Sequence, residues 1–316
     1  MGTSDTLIRL SVQGLIDGST YGLLGLSFGY ILFVTGRLHF AYGFTYTLAG
    51  YVVAVMSVVA GVPLWLAATL AIFAAVVASV LIETSVYRPL VKRNPSGSLI
   101  SVFVAALGIN VAGDALITLI WGTSNESRYV SNYVPTIFHV GPLYLADVQI
   151  ATVVFAIVVV AVSSIVLKYT EAGRMVRAVS ANSELARIMG IRLELVYIVI
   201  FALASVVAGV LAVLTTMRLS ATPEMGNTPV FYGFLVAFLA GRGSGPIRVA
   251  IAGLIVGLVS DVSQFWLSPE YGQVVIFGML SVYIASQPFV KDRLTRSSRR
   301  RSSVSPVKEL EGTTQA

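Results

Sequence analysis

Gln149–Leu167 reads QIATVVFAIVVVAVSSIVL, a run without a single charge. A helix rises about 1.5 Å per residue, so about 20 apolar residues cross the roughly 30 Å hydrocarbon layer of a bilayer. Its VVFAIVVVAV core is the most apolar stretch of the chain. It is too long and too uniformly apolar to be one of the alternating ten-residue strands of a membrane barrel. The segment is therefore read as a membrane-spanning helix.

Working outward, the same reading applies to Leu7–Val34, Phe40–Ala60, Pro63–Ile82 and Leu99–Trp121 before it, and to Leu195–Met217, Val249–Trp266 and Tyr271–Pro288 after it. Pro229–Ala240 is too short for a normal span and reads as a short or broken helix. The fold class is thus all-α: a polytopic transmembrane helical bundle of about eight or nine spans over residues 1–290, some short or broken. Composition agrees, with 56% apolar and only 11% charged residues and a mean hydropathy of +0.85. A soluble domain carries about 25% charged residues. The absence of cysteine excludes disulfides, a thiolate metal site and a catalytic thiol. Two histidines, His39 and His139, leave little for a metal or catalytic cluster. With no H-E-x-x-H or G-x-S-x-G motif, an intramembrane enzyme is disfavoured. No internal repeat of the kind secondary transporters carry is evident. The opening MGTSDTLIRL lacks a basic n-region, so the first span is expected to be retained.

The net charge of +6 is placed unevenly. Arg88, Lys92 and Arg93 lie in the loop 83–98; Lys168, Arg174, Arg177, Arg187 and Arg192 lie in 168–194; Arg242 and Arg248 lie in 241–248. The loops 122–148 and 218–228 carry one Arg each. By the positive-inside rule the first three loops face the cytoplasm and the last two face out. Counting crossings gives nine, with an external N-terminus and a cytoplasmic C-terminus. The tail 291–316 begins KDRLTRSSRRR, with six basic residues against Asp292, and reads as a disordered cytoplasmic extension. The basic character therefore points to the anionic inner leaflet of a lipid membrane, not to nucleic acid.

The segment at about 169–193, YTEAGRMVRAVSANSELARIMGIRL, is too polar to span and too long for a hairpin. Met175, Val176, Val179, Leu185, Ala186, Ile188 and Met189 recur at helical spacing. Asn182 or Ser183 can cap a second helix and Gly190 can end it. Two short amphipathic helices result. They are either a solvated loop lying on the bilayer surface or a docking element for a soluble partner.

Four motifs in register carry a resemblance. The segment just quoted contains Gly173, Arg174, Arg177, Ala178, Ala186, Gly190 and Ile191. Near the N-terminus stand Asp17-Gly18-Ser19-Thr20-Tyr21-Gly22-Leu23 and Leu38-His39-Phe40-Ala41-Tyr42-Gly43. Tyr87-Arg88-Pro89-Leu90 follows the third span, and the Gly-rich Leu239-Ala240-Gly241-Arg242-Gly243-Ser244-Gly245-Pro246 comes late. Over residues 10 to about 290 the chain resembles the permease subunits of branched-chain amino acid ABC importers. The resemblance implies a bacterial inner-membrane permease, with no catalytic residue or cofactor of its own. It implies pairing with a second, similar permease, two ABC subunits that bind the ATP, and an external solute-binding protein. It also assigns ATPase coupling to Gly173, Arg174, Arg177, Ala178, Glu184, Ala186, Arg187 and Gly190. His39, Tyr42 and Phe44, and Arg242 and Pro246 in the Gly-rich turn, depart from the family pattern at motif positions, which extends the expected substrates to urea or a short-chain amide.

The chain has no G-x-x-x-x-G-K-[ST], so it is not expected to bind ATP itself. The Gly-rich turn is either a tight re-entrant turn or a substrate contact. Gly18 with Gly22, and Gly253 with Gly257, are small-x-x-x-small pairs suited to close helix packing; breaks along a pathway are the alternative. Ionisable groups in a membrane are costly. Asp17, Asp114 and Asp261, with Ser19, Asn110, His39 and Tyr42, are therefore the candidate translocation-pathway residues. A structural polar contact is the competing reading for the acids, and an interfacial cap for His39. Glu83 is read as solvated at the end of the third span. Trp65, Trp121, Trp266, Tyr129, Tyr133 and Tyr144 read as interface anchors.

Overall fold

A computed structural model describes residues 3–58, 62–94, 97–122, 130, 133–140 and 143–268, and single positions at 271, 274, 277, 278, 281 and 282. The tail 291–316, Tyr129 and most of the expected span Tyr271–Pro288 lie outside the described residues.

The elements run α1 (Thr3–Thr35), α2 (Tyr42–Val58), α3 (Leu64–Leu81), a π-helical turn (Ile82–Tyr87), α4 (Arg88–Arg93), α5 (Ser98–Trp121), β1 (Ile137–Val140), β2 (Leu143–Ala146), α6 (Asp147–Tyr169), α7 (Glu171–Ala181), α8 (Ser183–Ile188), α9 (Leu193–Arg218), α10 (Asn227–Ala240) and α11 (Pro246–Ser263). Among the described residues, six helical stretches are long and apolar enough to cross a membrane: α1, α3 through α4, α5, α6, α9 and α11. The helical bundle expected from the sequence is what forms. Element boundaries differ in places. The loop 122–148 contains an antiparallel hairpin, with His139 opposite Tyr144. The third span does not stop at Ile82 but continues through the π-turn and α4 to Arg93.

Helix directions follow from side-chain bonds. Gln13 of α1 accepts from Gln149 at the start of α6, and the Arg9 guanidinium sits over the Tyr144 ring. At the other end, Ser180 of α7 donates to the Phe33 carbonyl. The bundle thus has a hairpin end and an opposite, basic end. The basic end carries Arg88, Lys92, Arg93 and the cations of α7, α8 and the Gly-rich turn. Trp65, Trp121, Trp266 and Tyr144 gather at the hairpin end, as a belt of interface aromatics would.

α2 and α10 have 17 and 14 residues, about 25 and 21 Å, which is short of the hydrocarbon thickness. Each follows a non-helical return into the bundle. After α1, Gly36 takes φ +70° and the chain doubles back over residues 36–41. Tyr42, the first residue of α2, then donates to the Ala204 carbonyl, about 16 Å along α9 from its start. After α9, residues 219–226 return from the hairpin end in the same manner. Non-helical backbone is tolerated at this depth only where protein surrounds it. His39 and Ala41 are accordingly fully buried. Phe40–Ala60 is therefore not one continuous spanning helix. It is an extended return and a half-length helix, because the Tyr42 and Tyr46 hydroxyls are held inside by α9.

The two returns reveal an internal symmetry that the sequence did not display. α1–α2–α3 and α9–α10–α11 share one order, a long helix, a return, a short helix and a spanning helix, traversed in opposite directions. They also exchange partners: α1 packs on α10 and α11, and α9 packs on α2 and α3. Similarity of direction and packing does not require similarity of side chains, so no repeat is legible in the residues.

Packing inside the bundle depends on small residues, since lipid is as apolar as the core and offers no hydrophobic drive between helices. Gly14 and Gly18 of α1 face Gly257 and Gly253 of α11, so near that a Cβ on Gly253 would lie 2.3 Å from the Gly22 Cα. The paired glycines therefore pack α1 against α11 within this chain. α3 buries Ala67, Ala71, Ala75 and Ser79, one per turn, on the face shared with α2 and α9. Conversely, Ile150, Val154, Ile157, Val162 and Ile165 of α6 are exposed apolar groups suited to lipid.

Candidate translocation site and coupling surface

The N-termini of α2 and α10 meet at mid-depth. The Gly226 N–H donates to Thr47 Oγ1, which in turn donates to the Gly43 carbonyl. A Cβ on Gly226 would lie 2.2 Å from that carbonyl oxygen, so only glycine permits the approach. Beside this junction α5 presents a polar ladder. Asn227 Nδ2 donates to Asp114 Oδ2 at 2.9 Å, and Asn110 Nδ2 donates to Asn227 Oδ1 at 2.7 Å. Asp114 Oδ1 and Asn110 Oδ1 are buried and lack a hydrogen-bond partner among the described residues. Two helix N-termini bring positive dipole ends to this carboxylate. Broken helices meeting at polar groups near the midplane are the arrangement transporters use to bind solute. The structure joins Asn110 and Asp114 and adds Asn227, which the sequence reading missed. Its signal was the short helix itself, whose first residue must supply polar atoms at mid-depth.

Asp17 belongs to a second cluster, toward the hairpin end. Its Oδ1 accepts from Arg218 Nη1 and its Oδ2 from Gln13 Nε2, both at 2.9 Å. Asp17 and Arg218 border a cavity of about 320 Å³, whose lining includes Thr20, Tyr46, Thr215, Met225 and Thr228. Met225 and Thr228 flank Asn227, so the cavity adjoins the midplane ladder. Asp261 is buried on α11, accepts from Gln264 and does not line the cavity. Ser19 donates to the Leu15 carbonyl within its own helix.

His39 and Tyr42 are placed elsewhere. His39 is not at an interface but fully buried, with Nδ1 2.8 Å from the Tyr87 hydroxyl and its ring against Phe201. Neither residue lines either of the two cavities described. Their departures from the family pattern thus bear on core packing. Glu83 is also fully buried and pairs with Arg37, itself buried, in the return after α1. The sequence reading of Glu83 as solvated is corrected: the π-turn points it at a cation 46 residues earlier in the chain. That distance in sequence hides the pair from local reading.

At the basic end, α7 and α8 form as expected. Thr170 caps α7 through the Gly173 N–H, and Asn182 Oδ1 accepts from Glu184 and Leu185 at the start of α8. Gly190 ends the pair with φ +87°. The apolar set divides by face. Val179 and Ala186 are buried against the bundle, while Met175, Leu185, Ile188 and Met189 are exposed, the last two at 80% and 81%. Arg174, Arg177, Glu184, Arg187 and Gly190 are exposed. Gly173 is buried and Ala178 half-buried. A Cβ on Gly173 would lie 2.2 Å from the Val166 carbonyl oxygen, so this glycine permits the α6–α7 bend rather than facing outward. Among the described residues no His, Cys, Asp and Glu group has metal-site geometry. Tyr133 donates to Asp147 beside the hairpin; burial and this carboxylate hold its phenol above the usual range.

Residues 10–284 match the protein family described as branched-chain amino acid transport system / permease component. The high-affinity branched-chain amino acid transport system permease protein LivH of Escherichia coli (strain K12) is 29% identical over 294 residues, covering 87% of this chain and 92% of the relative. LivH of Salmonella typhimurium is 28% identical over the same coverage. BraD of Pseudomonas aeruginosa, described in the same words, is 25% identical over 88% of this chain and 92% of its own length. No solved structure matches the chain.

Proposed function

Because the chain belongs to the branched-chain amino acid transport permease family, we propose that it is the membrane-spanning permease of an ABC importer carrying branched-chain or similar hydrophobic amino acids. In this reading a second permease completes the transmembrane unit. Two ATPase subunits bind and hydrolyse ATP at the basic end, and a solute-binding protein delivers substrate at the hairpin end. The basic end then faces the cytoplasm of a bacterial inner membrane, consistent with its clustered Lys and Arg. The N-terminus of α1 is then external, and the tail 291–316 is cytoplasmic and dispensable.

The observation that carries the reading is the exposed apolar face of α7–α8, next to exposed Arg174, Arg187 and Glu184. Apolar anchors on a short helix are suited to a groove in a soluble partner. Substrate would pass from the hairpin-end cavity to the Asn110–Asp114–Asn227 ladder. Asp17 and Arg218 supply one charge of each sign, complementary to a zwitterion, and Met225 and Leu214 supply apolar wall. ATP-driven closure of the ATPases would push α7–α8 and rock the two inverted halves about the α2–α10 junction. Such a cycle responds to solute only through different affinities in its two states.

The test uses reconstituted importer and the outward residues Ile188 and Met189, since Gly173 substitutions would disturb the α6–α7 bend first. Ile188→Glu with Met189→Glu should abolish leucine uptake and weaken co-purification of the ATPase, while the permease stays folded. Wild-type uptake and ATPase recovery in that variant would overturn the docking role.

A further inference from the structure

Beside α7, the basic end holds a cavity of about 780 Å³ that the transport reading does not use. Leu26, Tyr30 and Phe33 of α1 form one wall, and Ile247 and Val249 of α11 form another. Lys168 from the end of α6, Arg177 of α7 and Arg242 of the Gly-rich turn complete the lining. No acidic side chain lines it. What sets these three cations apart from the others at this end that face no carboxylate among the described residues, Arg93, Arg187, Arg192 and Arg248, is that they converge on one cavity. Arg37, Arg88, Lys92 and Arg174 each face a carboxylate, whereas Lys168, Arg177 and Arg242 face none among the described residues. The cavity also keeps one orphan polar atom, the Tyr30 hydroxyl, buried and without a partner among the described residues.

We propose that this cavity binds an anionic glycerophospholipid, its phosphate between Lys168, Arg177 and Arg242 and an acyl chain along α1 and α11. The chemistry of each part fits. Basic pockets between membrane helices on the cytoplasmic side suit anionic headgroups. The apolar depth needs an apolar occupant, which excludes a free phosphate or a nucleotide as its filling. Tyr30 can donate to an ester carbonyl below the headgroup. Ile247 is 62% exposed, so the wall toward α11 is open for a chain to enter sideways from the bilayer. Gly29 keeps the α1 wall low: it lines the cavity, and a Cβ there would make ordinary contacts with Ala237 at 3.6 Å and the Phe33 ring at 3.7 Å.

The location gives the lipid a consequence. Arg242 Nη2 donates to the Ser180 carbonyl at 2.9 Å and so ties the turn before α11 to α7. A phosphate held by Arg177 and Arg242 would brace the same joint. Arg177, assigned by resemblance to ATPase coupling, then acts on α7 through lipid. Ile188 and Met189, the outward anchors, do not line the cavity.

The experiment uses the intact importer in nanodiscs of phosphatidylcholine doped with phosphatidylglycerol, with retained lipid counted by native mass spectrometry after detergent exchange. One phosphatidylglycerol per copy of this chain should be retained in preference to phosphatidylcholine. Glutamine at Lys168, Arg177 or Arg242 should weaken retention about fivefold each, and about 100-fold together. Gly29→Leu leaves the cations intact but fills the chain slot, and should also release the lipid. Equal retention of the two lipids would overturn the proposal, as would wild-type retention in both the triple variant and Gly29→Leu. Competition by glycerol phosphate as strong as by intact lipid would also overturn it, since it would make this a free-anion site.

Discussion

Gly253→Ala and Gly22→Ala add the same methyl group to the same interface and should behave differently. At Gly253 the new Cβ would fall 2.3 Å from the Gly22 Cα, 2.5 Å from its nitrogen and 2.8 Å from the Gly18 oxygen, all backbone atoms that cannot rotate aside. Relief requires α1 and α11 to separate by about 1 Å, enough to forfeit roughly a quarter to a half of the dispersion well between facing atoms. Overpacking of this kind costs about 1–3 kcal/mol, and lipid supplies no compensating drive. At Gly22 the nearest atom stands at 3.4 Å, ordinary contact. The gain in helix propensity from Gly to Ala is common to both variants and cancels in the comparison. Thermal unfolding in one detergent at one scan rate should show Gly253→Ala below Gly22→Ala by about 3–10 °C. Equal melting temperatures would refute the claim that backbone approach at Gly253 holds α1 to α11.

Glu83→Ala should be among the most destabilising single changes, by about 3–5 kcal/mol, because it leaves Arg37 buried without its partner. Arg88→Ala, which breaks a partly exposed pair with Glu194, should cost about 1 kcal/mol or less, and detergent-solubilised unfolding separates the two. Asp114→Ala should lower leucine uptake by about tenfold or more, while the loss of stability stays within about 1–3 kcal/mol for the orphaned Asn227 donor, since the ladder's other bond, Asn110 to Asn227, survives. Normal uptake in that variant would remove the midplane ladder from the pathway. The isolated chain should show no stoichiometric ATP binding by calorimetry, as it lacks the Lys and Ser/Thr that grip phosphate and magnesium.

Long uncharged runs such as Gln149–Leu167 determined the helical membrane class without help, because a bilayer leaves only helices or closed barrels and barrels alternate. Charge placement likewise separated the two ends, and short-range chemistry named the caps: Asn182 starts α8 and Gly190 ends it, because both act on residues within one turn. Resemblance at four motifs identified the family. Tertiary structure alone decided the rest. Only packing showed that Tyr42 begins a half-length helix at mid-depth, that Asn227 completes the ladder of Asn110 and Asp114, and that Arg37 neutralises Glu83. Only packing turned Gly173 inward and left Ile188 outward. The physical reason is common to all of these. In a membrane chain the lipid face and the protein face are both apolar, so periodicity does not report which side is buried. The decisive polar and glycine contacts join residues tens to hundreds of positions apart, where composition and local spacing carry no information.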